Sequence, residues 1–118
     1  MPTGIALDNQ YQAGPTYKIT VADTAISLGD AGNLAKIQPT SGDYINKSAS
    51  SVFIHVITSG LYFCPGGSTP VVDGTLGHPL AVGDSFTIKN FQNIKNAKFI
   101  RQGANTGAIM VTPYFNMA

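Results

Sequence analysis

The chain has 118 residues, 43% of them apolar and only 11% charged, enough for one hydrophobic core and too short for two. Seven basic against six acidic groups leave a formal charge of +1, which sets up no field for nucleic acid or an anionic membrane, and the apolar share excludes a solvated disordered tail. Polarity comes from Ser, Thr, Asn, Gln and 13 Gly, with neither Glu nor Trp present, a composition of strands and turns and not of surface helices.

In chain order, residues 1–16 are punctuated by Pro2, Gly4, Gly14 and Pro15 and read as an extended arm, since Gly and Pro disfavour a helix. Ile5, Leu7 and Tyr11 then have no amphipathic face of their own. They are expected to dock on a neighbouring subunit or on a larger assembly, most simply by adding a strand to a neighbour's edge. The remainder, 17–118, reads as a single β domain. Tyr17 to Ala22 alternates Tyr17, Ile19 and Val21 against Lys18 and Thr20, the period of a half-buried strand. Ala25 to Leu28 is a second short strand. After the turn cluster Gly29 to Asn33, Leu34 to Gln38 alternates again, so a strand pair is expected, followed by a surface loop over Thr40 to Ser51.

Val52 to Thr58 is β-branched and aromatic, and Ser59-Gly60 separates it from Leu61 to Cys64, which predicts a tight hairpin. Thr69 to Val72 is expected to be extended between turns at Pro65-Gly66-Gly67-Ser68 and Asp73-Gly74-Thr75, and Gly77 to Asp84 to be a loop. Ser85 to Lys89 alternates, Asn90 to Asn96 suits a helical turn because Phe91 and Ile94 are three apart, and Ala97 to Gln102 and Gly107 to Phe115 are closing strands. This spacing predicts an all-β fold, an antiparallel β-sandwich or jelly roll with an extended N-terminal arm. Its core is expected from Ile19, Val21, Val52, Ile54, Val56, Phe86, Ile88, Phe99, Ile109 and Val111.

No basic leader or long apolar span is recognisable, and the single Cys64 forbids an internal disulfide and fits a reducing cytoplasm. Chemistry-bearing residues are scattered. His55 and His78 stand apart and lack the clustered His and Glu of a metal-binding sandwich, so no metal or cofactor is expected. Gly83-Asp84-Ser85 reads as a turn, Cys64 has no basic neighbour to activate it, and Pro65 to Thr69 lacks the Lys and helix of a phosphate loop. No catalytic residue is named, and the chain is expected not to be an enzyme. One uneven feature is basic: Lys89, Lys95, Lys98 and Arg101 put four of the seven cations within 13 positions. They are expected to contact an acidic protein surface and not nucleic acid.

From Ala49 onward the order of features resembles small virion proteins of tailed bacteriophages, the head decoration or cement type. The resemblance lies in Ser51-Val52-Phe53-Ile54-His55-Val56, Gly60-Leu61-Tyr62-Phe63, Gly66-Gly67-Ser68, Gly83-Asp84 before a strand, and Lys98-Phe99-Ile100-Arg101 leading to Gly107 through Phe115. It covers a little over half of the chain and consists of strand and turn patterns. It implies a non-enzymatic, usually trimeric protein that sits on the capsid surface and reinforces contacts between subunits of the major capsid protein, after synthesis in the host cytoplasm. An alternative of another class is a small carbohydrate- or host-surface-binding sandwich of a phage tail, whose aromatic platform would come from Tyr11, Tyr17, Tyr44, Tyr62, Tyr114 or a Phe.

Overall fold

A computed structural model of the chain describes residues 10–117. Nine strands, β1 Tyr11–Ala13, β2 Tyr17–Val21, β3 Ile26–Ser27, β4 Ser51–Val56, β5 Leu61–Cys64, β6 His78–Leu80, β7 Ser85–Lys89, β8 Lys98–Arg101 and β9 Gly107–Asn116, form two antiparallel sheets. The first runs β1-β9-β4-β7, with β2 also on β9; the second runs β3-β8-β5-β6. The ten residues of β9 are its spine. One side pairs with β4, and the other takes β2 along Gly107–Val111 and β1 along Tyr114–Asn116.

Alternation decides which side chains meet between the sheets. Val52, Ile54, Val56, Ile109, Val111 and Phe115 on one sheet are wholly buried, as are Leu61 and Phe99 on the other. Ile19 and Val21 join them from β2, while Phe86 and Ile88 are half-buried at the margin. All ten expected core residues therefore belong to the packed interior or its rim. Phe63 bridges the layers, its ring centroid 4.9 Å from Phe99 and 5.1 Å from Phe86.

Four expectations are corrected. Leu34 to Gln38 belongs to a helix, α1 Ala31–Ile37, because Leu34 and Ile37, three apart, share one face of a helix but fall on opposite faces of a strand. The Asp30 carbonyl accepts from the N–H groups of Asn33 and Leu34, both at 2.8 Å, while its carboxylate is occupied by the Ser27 N–H and hydroxyl. The expected hairpin over Val52 to Cys64 is absent: β4 has both neighbours in the first sheet, so Ile57 to Gly60 carries the chain across to the second. Thr69 to Val72 forms no strand, and the expected loop over Gly77 to Asp84 contains β6. Pro79 is tolerated there because β6 is an edge, where a missing N–H costs no ladder bond. The helical turn after Asn90 is present as α2 Phe91–Asn96, which buries Ile94 and is entered through Asn90, whose side chain accepts from the Gln92 N–H.

The segment expected to be an arm is divided. Ile5 and Leu7 lie outside the described residues. Tyr11 belongs to β1, whose backbone pairs with β9 of its own chain, with Tyr11 opposite Asn116 and Ala13 opposite Tyr114, while the Tyr11 side chain is exposed. Gly14 N–H donates to the Pro113 carbonyl, and the Thr16 and Thr112 hydroxyls lie 2.7 Å apart. From Tyr11 to Thr16 the chain is therefore part of the sandwich.

Candidate functional site

The two outer faces of the sandwich are treated differently by the chain. Behind the second sheet, the segment from Pro65 to Gly77 folds over Tyr62, Cys64 and Ile100. Cys64 and Ile100 are each only 5% exposed, although the pleat turns them away from the core. Gly74 and Gly77 make this approach possible. Their φ values are +81° and +133°, and a Cβ on them would stand 2.7 Å from Tyr62 Oη and 2.9 Å from Tyr62 Cβ. The loop is tied down by Lys98 Nζ, which donates to Thr69 Oγ1 at 3.3 Å, and by Gly103 N–H, which donates to the Val72 carbonyl.

No described segment roofs the first sheet in this way. Its outer face carries Lys18 and Thr20 from β2, Met110, Thr112 and Tyr114 from β9, Ser51, Phe53 and His55 from β4, and Ser85, Thr87 and Lys89 from β7. Phe53 is at the centre, directly between Thr112 and Thr87, and remains 39% exposed. Tyr11 joins the face from β1, and with Ser50, Ser51 and Lys89 it lines a shallow depression at one end. None of the six Asp residues lies on these strands. The face is thus aromatic at its centre, hydroxyl-rich around it and cationic at Lys18 and Lys89. Such a surface suits the desolvated, aromatic centre and polar rim of a protein contact.

The basic cluster does not form one patch. Lys89 is on the outer face of the first sheet. Lys95, on α2, holds its ammonium 5.5 Å from the centroid of Phe91. Lys98 secures the loop behind the second sheet. Arg101 is on the opposite face of β8 from Lys98 by the period of two, and its Nε donates to the Gly103 carbonyl at 3.1 Å. Although close in sequence, Lys89 and Lys98 lie on the outer faces of different sheets, and of the four only Lys89 belongs to the candidate face.

The candidate aromatic platforms separate in the same way. Tyr17 lies under the Lys36 ammonium, Tyr44 is stacked on Phe115, and Tyr62 is covered by the Gly74 turn, leaving Tyr11 and Tyr114 on the open face. His55 is on that face opposite Met110 and Ser85, whereas His78 is on β6 opposite Phe63. Among the described residues no three His, Cys, Asp or Glu side chains are grouped to hold a metal ion. No described helix is long and apolar enough to cross a membrane. Of this face the sequence reading singled out only Tyr11, Tyr114 and Lys89 as functional, and it passed over Lys18, Phe53, Thr87, Met110 and Thr112. The signal for Phe53 was present, because inward Val52, Ile54 and Val56 oblige Phe53 to point outward. No protein-family model matches the chain, and no curated protein matches it.

Proposed function

We propose that the chain is a non-enzymatic virion structural protein of a tailed bacteriophage, of the capsid decoration or cement type, which docks on the major capsid protein through the outer face of its first sheet. The observation that carries this reading is the contrast between the two outer faces: one roofed by Pro65 to Gly77, the other left open around Phe53 by the described residues, none of its strands carrying a carboxylate. A broad open face matches a protein surface better than it matches a small ligand, which is normally held in a concave pocket. Lys18 and Lys89 favour an acidic partner. The resemblance of the segments from Ser51 to Phe115 to decoration proteins supports the same class and adds a homotrimer on the capsid exterior, remote from the packaged genome.

The test is cosedimentation with particles assembled from the major capsid protein encoded in the same genome. Saturable binding that weakens in Phe53→Thr is the expected result, and absence of binding to intact particles overturns the reading. A second reading, the carbohydrate-binding tail module, is favoured by Phe53 itself, an aromatic ring flanked by the hydroxyl-bearing Thr87 and Thr112. Saturable binding to a glycan array without binding to capsids would select it.

A further inference from the structure

The strand β7 is one edge of the first sheet, opposite the edge made by β1 and β2, and its hydrogen-bonding phase can be read from the bonds at its two ends. Asn90 N–H donates to the Ser50 carbonyl and Val56 N–H to the Asp84 carbonyl. Hydrogen-bonded pairs alternate along an antiparallel ladder, so with Val52 opposite Ile88 and Ile54 opposite Phe86 those pairs also bond to each other. The N–H and C=O groups of Ser85, Thr87 and Lys89 therefore point away from the sheet. The Lys89 carbonyl is taken by the Asn93 side chain at 3.2 Å. Among the described residues nothing pairs with the outward N–H and C=O groups of Ser85 and Thr87, which lie on an unprotected edge.

Alongside this edge the two sheets leave a groove. It consists of two adjoining depressions that share Phe63 and Phe86, one reaching past Ile88, Lys89 and Asn93, the other past Leu80, Ser85 and Asp84, whose carboxylate accepts from the Ala81 N–H. A backbone ladder beside apolar recesses is the arrangement that accepts an added strand, with the ladder giving affinity and alternate side chains filling the recesses.

We infer that β7 accepts residues 3–8 of a second copy of this chain as an additional strand, with Ile5 and Leu7 directed into the groove over Phe63 and Phe86. Ile5 and Leu7 are two apart, the spacing that puts both on one face of a strand. The only charged side chain in residues 2–9 is Asp8, and the only one on β7 is Lys89, of opposite sign. In this phase both belong to the outer face. Reach along the sheet favours a second copy over the same chain as the donor. A strand beside β7 is four spacings from β1, about 19 Å at roughly 4.8 Å each. The four steps from Tyr11 back to Leu7 cover at most about 14 Å. Donor and acceptor are different surfaces, so the contact is head-to-tail and closes as a ring when its rotation allows. This inference is independent of what the open face binds.

The experiment is sedimentation of the full chain and two variants at micromolar concentration. One variant lacks residues 2–9; the other is Thr87→Pro, which removes an outward N–H and obstructs the edge while sparing the ladder to β4. The full chain is expected to associate and each variant alone to be a monomer. Mixed, they are expected to form a heterodimer, because one retains the arm and the other the edge. Hydrogen exchange gives a readout that does not depend on the folding of Thr87→Pro. The Ser85 and Thr87 amides should be protected in the full chain and exposed in the deletion, and protected again when a peptide of residues 1–9 is added. A monomeric full chain, association that survives the deletion, or amides of Ser85 and Thr87 that exchange equally in both would overturn the inference. Capsid binding retained in the deletion separates failure of this inference from failure of the proposed function.

Discussion

Tyr44 fastens β1 to the sandwich in two ways at once: its hydroxyl donates to the Ala13 carbonyl at 3.0 Å, and its ring stacks on Phe115 with centroids 4.6 Å apart. Phe115 is wholly buried and lies opposite Gln12 in the β1–β9 ladder. The loop between α1 and β4 thereby holds β1 against β9.

Tyr44→Phe keeps the stack and removes the hydroxyl. The expected loss of stability is about 0.5–1.5 kcal/mol, the net value of one hydrogen bond. Phe115→Ala removes a buried ring and is expected to cost about 3–5 kcal/mol. Urea unfolding measures both. In Tyr44→Phe, amide exchange should quicken in β1 and remain slow in β4.

Gly74 gives a second stability prediction. Gly74→Ala places a methyl group 2.7 Å from Tyr62 Oη at a φ of +81°, so both a clash and backbone strain are added. A loss of about 1–3 kcal/mol is expected, in the range of overpacking and of a left-handed non-glycine residue. Tyr62→Phe deletes the oxygen in the closest contact, so a double-mutant cycle should show partial rescue. The φ strain persists, which is why the rescue is incomplete. Full additivity would show that the turn moves away from Tyr62 at no cost.

Legibility in the sequence followed the length and uniqueness of each pattern. Val52 to Val56 and Gly107 to Phe115 alternate long enough to fix strand and buried face together. Leu34 and Ile37 are three apart, a helical spacing that the strand reading passed over in so short a run, and the bonds to the Asp30 carbonyl start the helix there. Which strands pair was not legible. Ser59-Gly60 looks the same whether it closes a hairpin or crosses between sheets, and the outcome depends on β9, about fifty residues onward, occupying the other side of β4. The basic cluster failed for a related reason, because proximity along the chain says nothing about sharing a surface when a helix and a change of face intervene. The open face was half legible, through Phe53, but its bareness depends on where the loop from Pro65 to Gly77 goes.

The Asp73 turn should respond to acid. The Thr75 hydroxyl and Thr75 backbone N–H both donate to Asp73 Oδ1, and together they hold this carboxyl below its ordinary value of 3.8. A lowered folded-state pKa means that the contribution is present above the unfolded value and is lost as pH falls through the folded one. The side chain is fully exposed, so the effect is local. NMR titration should show the Thr75 amide shifting below pH 3.8 together with the Asp73 carboxyl. In Asp73→Asn that titration should vanish.

Phe53→Thr tests the open face. Phe53 is on a central strand, flanked by Thr87 and Thr112, and points away from the core. Thr has a good β propensity and completes a row of three threonines, so little change in thermal stability is expected. In a contact with the capsid the ring's remaining exposed area would be buried. Full burial of a Phe is worth about 1.5–3 kcal/mol, and a ring already partly covered in the free protein contributes toward the lower end, about tenfold in affinity. Lys18→Ser and Lys89→Ser should each weaken binding further and flatten its dependence on salt, because both charges approach an acidic partner. Lys98→Ser removes the same charge from the sequence cluster but from behind the other sheet, and should leave capsid affinity unchanged while loosening the loop at Thr69. Equal losses from Lys98→Ser and Lys89→Ser, or unaltered affinity in Phe53→Thr, would show that the capsid is bound through another surface.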